Sequence, residues 1–205
     1  MTKLSVMLVS DTSGSMSGKK IGDSIRAQKD FLDQLPAGSE VGLVNFGGRV
    51  KLVNEPTRNF TELKKALINS SAGGGTPLYS ALKMGFEVVT NRNTNWKISS
   101  LFRAGEGQPT KPPPSGRKKA IVLSTDGHAT VMANKKDIKN MGKRIKDKGI
   151  KLITIAIGSK ADRKLLKELA STQKDYHEAK FSGDLPDLYK DVASGLMRAE
   201  GRDGP

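Results

Sequence analysis

Cysteine is absent from these 205 residues, which excludes disulfides, thiolate metal sites and a cysteine nucleophile. Aromatic residues are scarce, at 5% with a single tryptophan, so platforms on which nucleobases could stack are few. No apolar run approaches the ~20 residues that a membrane-crossing helix needs. The first strand begins within three residues of Met1, where a signal peptide has no room. These absences lead to the expectation of a cytoplasmic protein with no membrane partner. Catalytic patterns are missing too. The glycines at 73–75 run into Thr76 and Pro77, without the lysine of a phosphate-binding loop. An aspartyl-phosphate mechanism at Asp11 would want a second acid two residues on, and Ser13 stands there. No serine of that turn has a His and Asp partner in a hydrolase order. No catalytic residues are expected, and an enzyme is not the reading.

What is present starts at the amino terminus. Leu4 to Ser10 is a short, nearly continuous apolar run, which reads as a strand buried on both faces. It ends in Asp11, Thr12, Ser13, Gly14 and Ser15, with oxygen-bearing side chains at every second position and a glycine expected to tighten the bend. Asp11 or Ser17 capping the next helix is the plainer alternative. Two further segments bear on the choice. Gly73-Gly74-Gly75-Thr76-Pro77 reads as a loop that brings backbone close to something, with Thr76 as N-cap. Ala120 to Leu123, followed by Ser124-Thr125-Asp126-Gly127, is a second apolar strand ending in a carboxylate. In an open parallel sheet the carboxyl ends of the strands share one crevice. Asp11, Ser13, Ser15, Thr76 and Asp126 can therefore be neighbours, and such a set of oxygens suits a hard divalent cation.

Asp-Thr-Ser-Gly-Ser at 11–15, Thr76 after glycines, and Asp126 in Ser-Thr-Asp-Gly resemble the metal-ion-dependent adhesion site of von Willebrand factor type A domains. Asp-x-Ser-x-Ser, a distant Thr and a distant Asp follow one another in the family's order, with no departure at the five positions. The likeness extends to standalone bacterial and phage members, including those of tellurium-resistance clusters. It implies a doubly wound α/β fold, similar to a Rossmann fold, with a mostly parallel sheet and one antiparallel edge strand. It also implies Mg²⁺ as the cofactor, with Mn²⁺ or Ca²⁺ as alternatives. The hydroxyls of Ser13 and Ser15 would bind the ion directly, and Thr76, Asp11 and Asp126 directly or through water. The partner implied is a protein whose Asp or Glu completes the shell.

The rest of the chain alternates as that architecture requires. Helices are expected over 19–35, 61–69, 77–90, 134–148, 162–170 and 185–197, and strands over 40–46, 49–53, 117–125, 150–157 and 175–179. Ile21, Ile25, Phe31, Leu32 and Leu35 mark the inward side of the first helix. One domain over 1–200 is expected, with a frayed tail at 201–205. Residues 91–116, rich in Asn, Gly and Pro, read as an insertion, in which Trp96, Leu101 and Phe102 could form a docking patch. His128 follows Asp126 closely, but an oxygen-rich site prefers magnesium, so it is not taken as a ligand.

Charge supplies a rival reading. The formal net charge is +14, and residues 117–151 hold eleven Lys or Arg against three Asp. Such clustering can track phosphates, so a nucleic-acid-binding protein is one alternative, and a scaffold subunit docking through 91–116 is another. The favoured expectation is a metal-dependent protein-interaction module, since both the basic surface and the metal favour a carboxylate-bearing partner.

Overall fold

The computed structural model describes residues 3–90, 116–127 and 134–198. The expected insertion, apart from Gly116, together with His128 and the tail, lies outside the described residues. Six strands form one sheet: β1 (Leu4–Asp11), β2 (Glu40–Phe46), β3 (Val50–Thr57), β4 (Lys118–Thr125), β5 (Lys151–Ile157) and β6 (Tyr176–Ala179), in the order β3-β2-β1-β4-β5-β6. Every pairing is parallel except β2 with β3. The doubly wound α/β architecture with one antiparallel edge is thus the observed one. The second strand of that hairpin runs four residues past its expected end, through Pro56. An edge strand tolerates proline because only one of its sides is paired.

The helices are α1 (Lys19–Gln34), α2 (Phe60–Ile68), α3 (Leu78–Thr90), α4 (Lys135–Asp147), α5 (Arg163–Leu169) and α6 (Leu185–Arg198). Side chains alternate across β1, all of whose residues are buried. Leu4, Val6 and Leu8 point to the layer of α1, α2 and α6, and Met7 and Val9 to that of α3, α4 and α5. This is why the first strand carries no polar alternation: both of its faces are covered. The inward residues expected of α3, namely Leu78, Ala81, Leu82, Gly85, Phe86 and Val89, are its buried ones.

The first helix departs from expectation. Its buried face includes Asp23, Ser24 and Gln28 beside Ala27, Phe31 and Leu32, whereas Ile21 and Ile25 are only partly buried. Each buried polar group has a partner, as burial demands. Gln28 accepts from Ser10 Oγ at 2.9 Å and donates to Ser24 Oγ at 2.9 Å. Asp23 receives Lys19 at 2.8 Å, Arg26 at 2.9 Å and the Ser182 hydroxyl at 2.6 Å. Those bonds, that of Lys19 foremost, hold its carboxyl below the ordinary range and tie α1 to the residues that lead into α6.

Deeper between these two helices, Phe31 and Tyr189 meet edge to face, with ring centroids 5.8 Å apart, and both are fully buried. Phe31→Ala should lower stability by about 3–5 kcal/mol, measured as an earlier urea midpoint followed by circular dichroism.

Candidate metal centre

Between β1 and β4 the strand order reverses direction, so the connections leave towards opposite sides and open a crevice at the carboxyl edge of the sheet. Asp11 is the last residue of β1, and Asp126 directly follows β4. Asp11 and Ser13 are 1% and 2% exposed, Thr76 is 4% and Asp126 is 1%, while Ser15 is exposed at the mouth.

The side chains of Asp11, Ser13, Ser15 and Asp126 meet through a run of short contacts. The Ser13 amide donates to Asp11 Oδ1 at 2.7 Å, and the Thr125 hydroxyl donates to Asp11 Oδ2 at 2.5 Å. The Ser15 hydroxyl donates to Asp126 Oδ1 at 2.6 Å. Its oxygen lies 3.0 Å from Ser13 Oγ, within hydrogen-bond reach. Thr76 belongs to the same corner, for a Cβ built on Gly127 would lie 3.5 Å from its Oγ1. The five residues singled out from the sequence are therefore gathered across three separate segments.

Neither suggested cap is used. The first helix is preceded by Gly18, with no side-chain cap, and Asp11 is instead engaged by Ser13 and Thr125. Thr76 also does not occupy the N-cap position of α3. That helix starts at Leu78, and the Pro77 carbonyl accepts from the Ala81 amide at 3.1 Å, one residue later than expected. Gly14 takes no positive φ; it opens a short 3₁₀ turn, Gly14–Met16.

The glycine loop does approach backbone closely, and its neighbours are the turns beside it. Gly73 N–H donates to Thr12 O at 2.7 Å, Gly48 N–H to Gly73 O at 2.8 Å, and Gly14 N–H to Gly74 O at 3.0 Å. A Cβ on Gly47 would sit 2.5 Å from Gly73 O, and one on Gly74, whose φ is +74°, would overlap the backbone of Gly48. Here the absence of a side chain is a packing requirement. The three laced turns lead into Thr76, whose hydroxyl lies beside Gly127.

Two residues of the site went unread in the sequence. Thr125 looked like the end of a strand, and only its place in the register beside Asp11 turns its hydroxyl to that carboxylate. Lys20, one lysine among many, reaches Asp126 Oδ2 at 2.5 Å and the Ser15 carbonyl at 3.2 Å. The signal for it was its position in the first turn of the helix that follows the motif.

Among the described residues, no three of His, Cys, Asp and Glu gather as a metal cluster. The site's other oxygens are neutral hydroxyls, so the donors are hard and carry two negative charges. That set fits a divalent cation of the Mg²⁺ type and offers no soft ligand.

A doubly wound α/β domain with oxygen donors at its switch point defines a recognisable class, and the comparisons agree. The chain belongs to the von Willebrand factor type A domain family, whose model matches residues 5–191. It is similar to inter-alpha-trypsin inhibitor heavy chain H2 of Mesocricetus auratus, 27% identical across 94% of this chain and 20% of that protein. The chain thus spans about a fifth of the curated relatives it matches first. Among solved structures, it is similar in fold to the proximal thread matrix protein 1 of mussel byssus with a zinc-occupied MIDAS motif. The TM-score there is 0.74 at 20% identity, over 96% of this chain and 48% of that one. The type V pili tip protein Mfa5 domain of Porphyromonas gingivalis gives a TM-score of 0.78 at 13% identity, over 100% of this chain and 98% of that one.

Burial pushes the Asp11 carboxyl above its ordinary value, hydrogen bonds from Ser13 and Thr125 oppose the rise, and the nearby Asp126 adds to it. A carboxyl raised in the fold weakens the folded state as pH climbs through the folded value, because the unfolded chain ionises more readily. In EDTA, Asp11→Asn should therefore melt higher than the unsubstituted protein at neutral pH, with the gap closing as pH falls into the ordinary carboxylate range. Mg²⁺ should raise the melting temperature of the unsubstituted protein and leave Asp11→Asn nearly unmoved. Thermal scans across pH, with and without Mg²⁺, measure both effects.

Proposed function

We propose that this domain is a metal-dependent protein-interaction module. In this reading a divalent cation, Mg²⁺ in preference to Mn²⁺ or Ca²⁺, is held by Asp11, Ser13, Ser15, Thr76 and Asp126, and accepts an Asp or Glu carboxylate from a protein partner. The observation that carries the reading is the run of oxygens from Ser13 through Ser15 to Asp126, assembled at the carboxyl edge between β1 and β4. Bound there, the ion would supply an electrophilic position for an incoming anion. The chain's own part is to present hydroxyls that add no charge, so that two carboxylates balance the ion and leave it able to accept a third.

The zinc-occupied motif of the mussel byssus protein supports a divalent ion at this corner of the fold, and the name of the pili tip protein accords with a binding role. We regard the module as non-catalytic. Its freedom from cysteine accords with a cytoplasmic setting. Among the described residues no helix is long and apolar enough to cross a membrane. Kinship with tellurium-resistance-type standalone members belongs to the same proposal.

The competing nucleic-acid reading is weakened by the way the basic cluster is spent. Of its eleven cations, Arg117, Lys135, Lys139 and Lys151 are in ion pairs, Lys146 donates to the carbonyls of Glu168 and Ala170, and Arg144 lies over the Phe86 ring. Arg117 is nearly buried, with 2% of its side chain exposed. A guanidinium so buried is poorly placed to track a phosphate backbone, and Lys135 and Lys139, 67% and 45% exposed, sit beside carboxylates that would repel one.

Pull-downs from lysate in Mg²⁺, in EDTA and after nuclease treatment test the proposal, together with calorimetric titration of Mg²⁺ into the purified domain. Capture of a protein should disappear in EDTA, return with Mg²⁺, survive nuclease and be lost in a folded Asp11→Ala variant. Capture that survives EDTA and vanishes with nuclease would overturn it in favour of nucleic acid.

A further inference from the structure

We propose that Lys20 sets the charge of the metal centre and orients Asp126 within it, weakening the hold on the cation while strengthening the cation's grip on the partner's carboxylate. The inference rests on the metal-dependent reading above. Among the described residues, Lys20 is the cation in ion-pair contact with the candidate donors, and the two oxygens of Asp126 have separate duties. Oδ1 faces the hydroxyls, accepting from Ser15 at 2.6 Å, whereas Oδ2 is taken by the Lys20 ammonium at 2.5 Å. A cation seated among the hydroxyls can use Oδ1 without displacing the lysine. The second bond of the ammonium, to the Ser15 carbonyl at 3.2 Å, anchors it to the same turn that carries the hydroxyls.

The carboxylate is fully buried and the lysine side chain is 36% exposed, so the pair lies at the wall of the crevice and not on open surface. Charge arithmetic then fixes the direction. Two carboxylates and a divalent ion alone make a neutral centre. With the ammonium in place the same centre keeps one positive charge. A positive charge a few ångströms away opposes entry of the cation and favours entry of an anion, by the same Coulomb term with opposite sign. A lysine that only braced the turn would, on removal, loosen both steps together.

The test uses Mn²⁺ and acetate as probes, with Lys20→Gln and Lys20→Arg as variants. Mn²⁺ affinity is read by calorimetry. Acetate binding to the Mn²⁺-loaded protein is read as loss of water-proton relaxation enhancement when acetate replaces a metal-bound water. Lys20→Gln should bind Mn²⁺ about five- to ten-fold more tightly and acetate weaker by a similar factor, while Lys20→Arg, which keeps the charge, should behave as the unsubstituted protein. Thermal melts in EDTA establish that each variant is folded. If Lys20→Gln binds both probes more weakly, or changes neither, the charge-setting role is wrong although the metal reading stands. If the unsubstituted protein takes up no Mn²⁺, the metal reading and this inference fall together.

Discussion

Two carboxylates buried at the ends of neighbouring strands are the constraint around which the carboxyl edge of this protein is built. Taking one such group out of water is costly, and placing a second close by adds repulsion. Each nearby device answers that problem. The Ser13 amide and the Thr125 hydroxyl hold Asp11, and the Ser15 hydroxyl and Lys20 hold Asp126. The sheet contributes by geometry alone. Because its winding turns around between β1 and β4, the connections that leave these two strand ends run towards opposite sides of the sheet. The site is thus less a pocket carved into the fold than a cleft that follows from the order of the strands.

The parts that could be read from the residues were those whose chemistry is written in their spacing. Strand β1 announced burial on both faces by lacking polar residues, and the Asp-x-Ser-x-Ser turn announced convergent oxygens because alternate residues at a strand end share a direction. The inward face of α3 followed from its apolar period alone. Element limits held to within a residue or two except at β3, where Pro56 masked the continuation of an edge strand.

What stayed hidden depends on contacts between distant segments. The buried face of α1 carries Asp23, Ser24 and Gln28, whose partners at Ser10 and Ser182 no local pattern could identify. The role of Thr125 required the register of β1 against β4. Lys20 was concealed by abundance, since in a chain this basic a single lysine carries no signal until its ammonium has a place. The glycine loop was recognised as a close approach, but what it approached, the Gly47–Gly48 turn and Thr12, came only from the fold.

The two borders of the sheet have a consequence for how the molecule meets others of its kind. At one side β6 is only four residues long, Tyr176–Ala179. At the other, β3 carries Pro56 and the exposed charges of Lys51 and Glu55. Short borders, proline and charge all discourage another chain from adding a strand. A polymer propagated through backbone pairing at either border is therefore disfavoured.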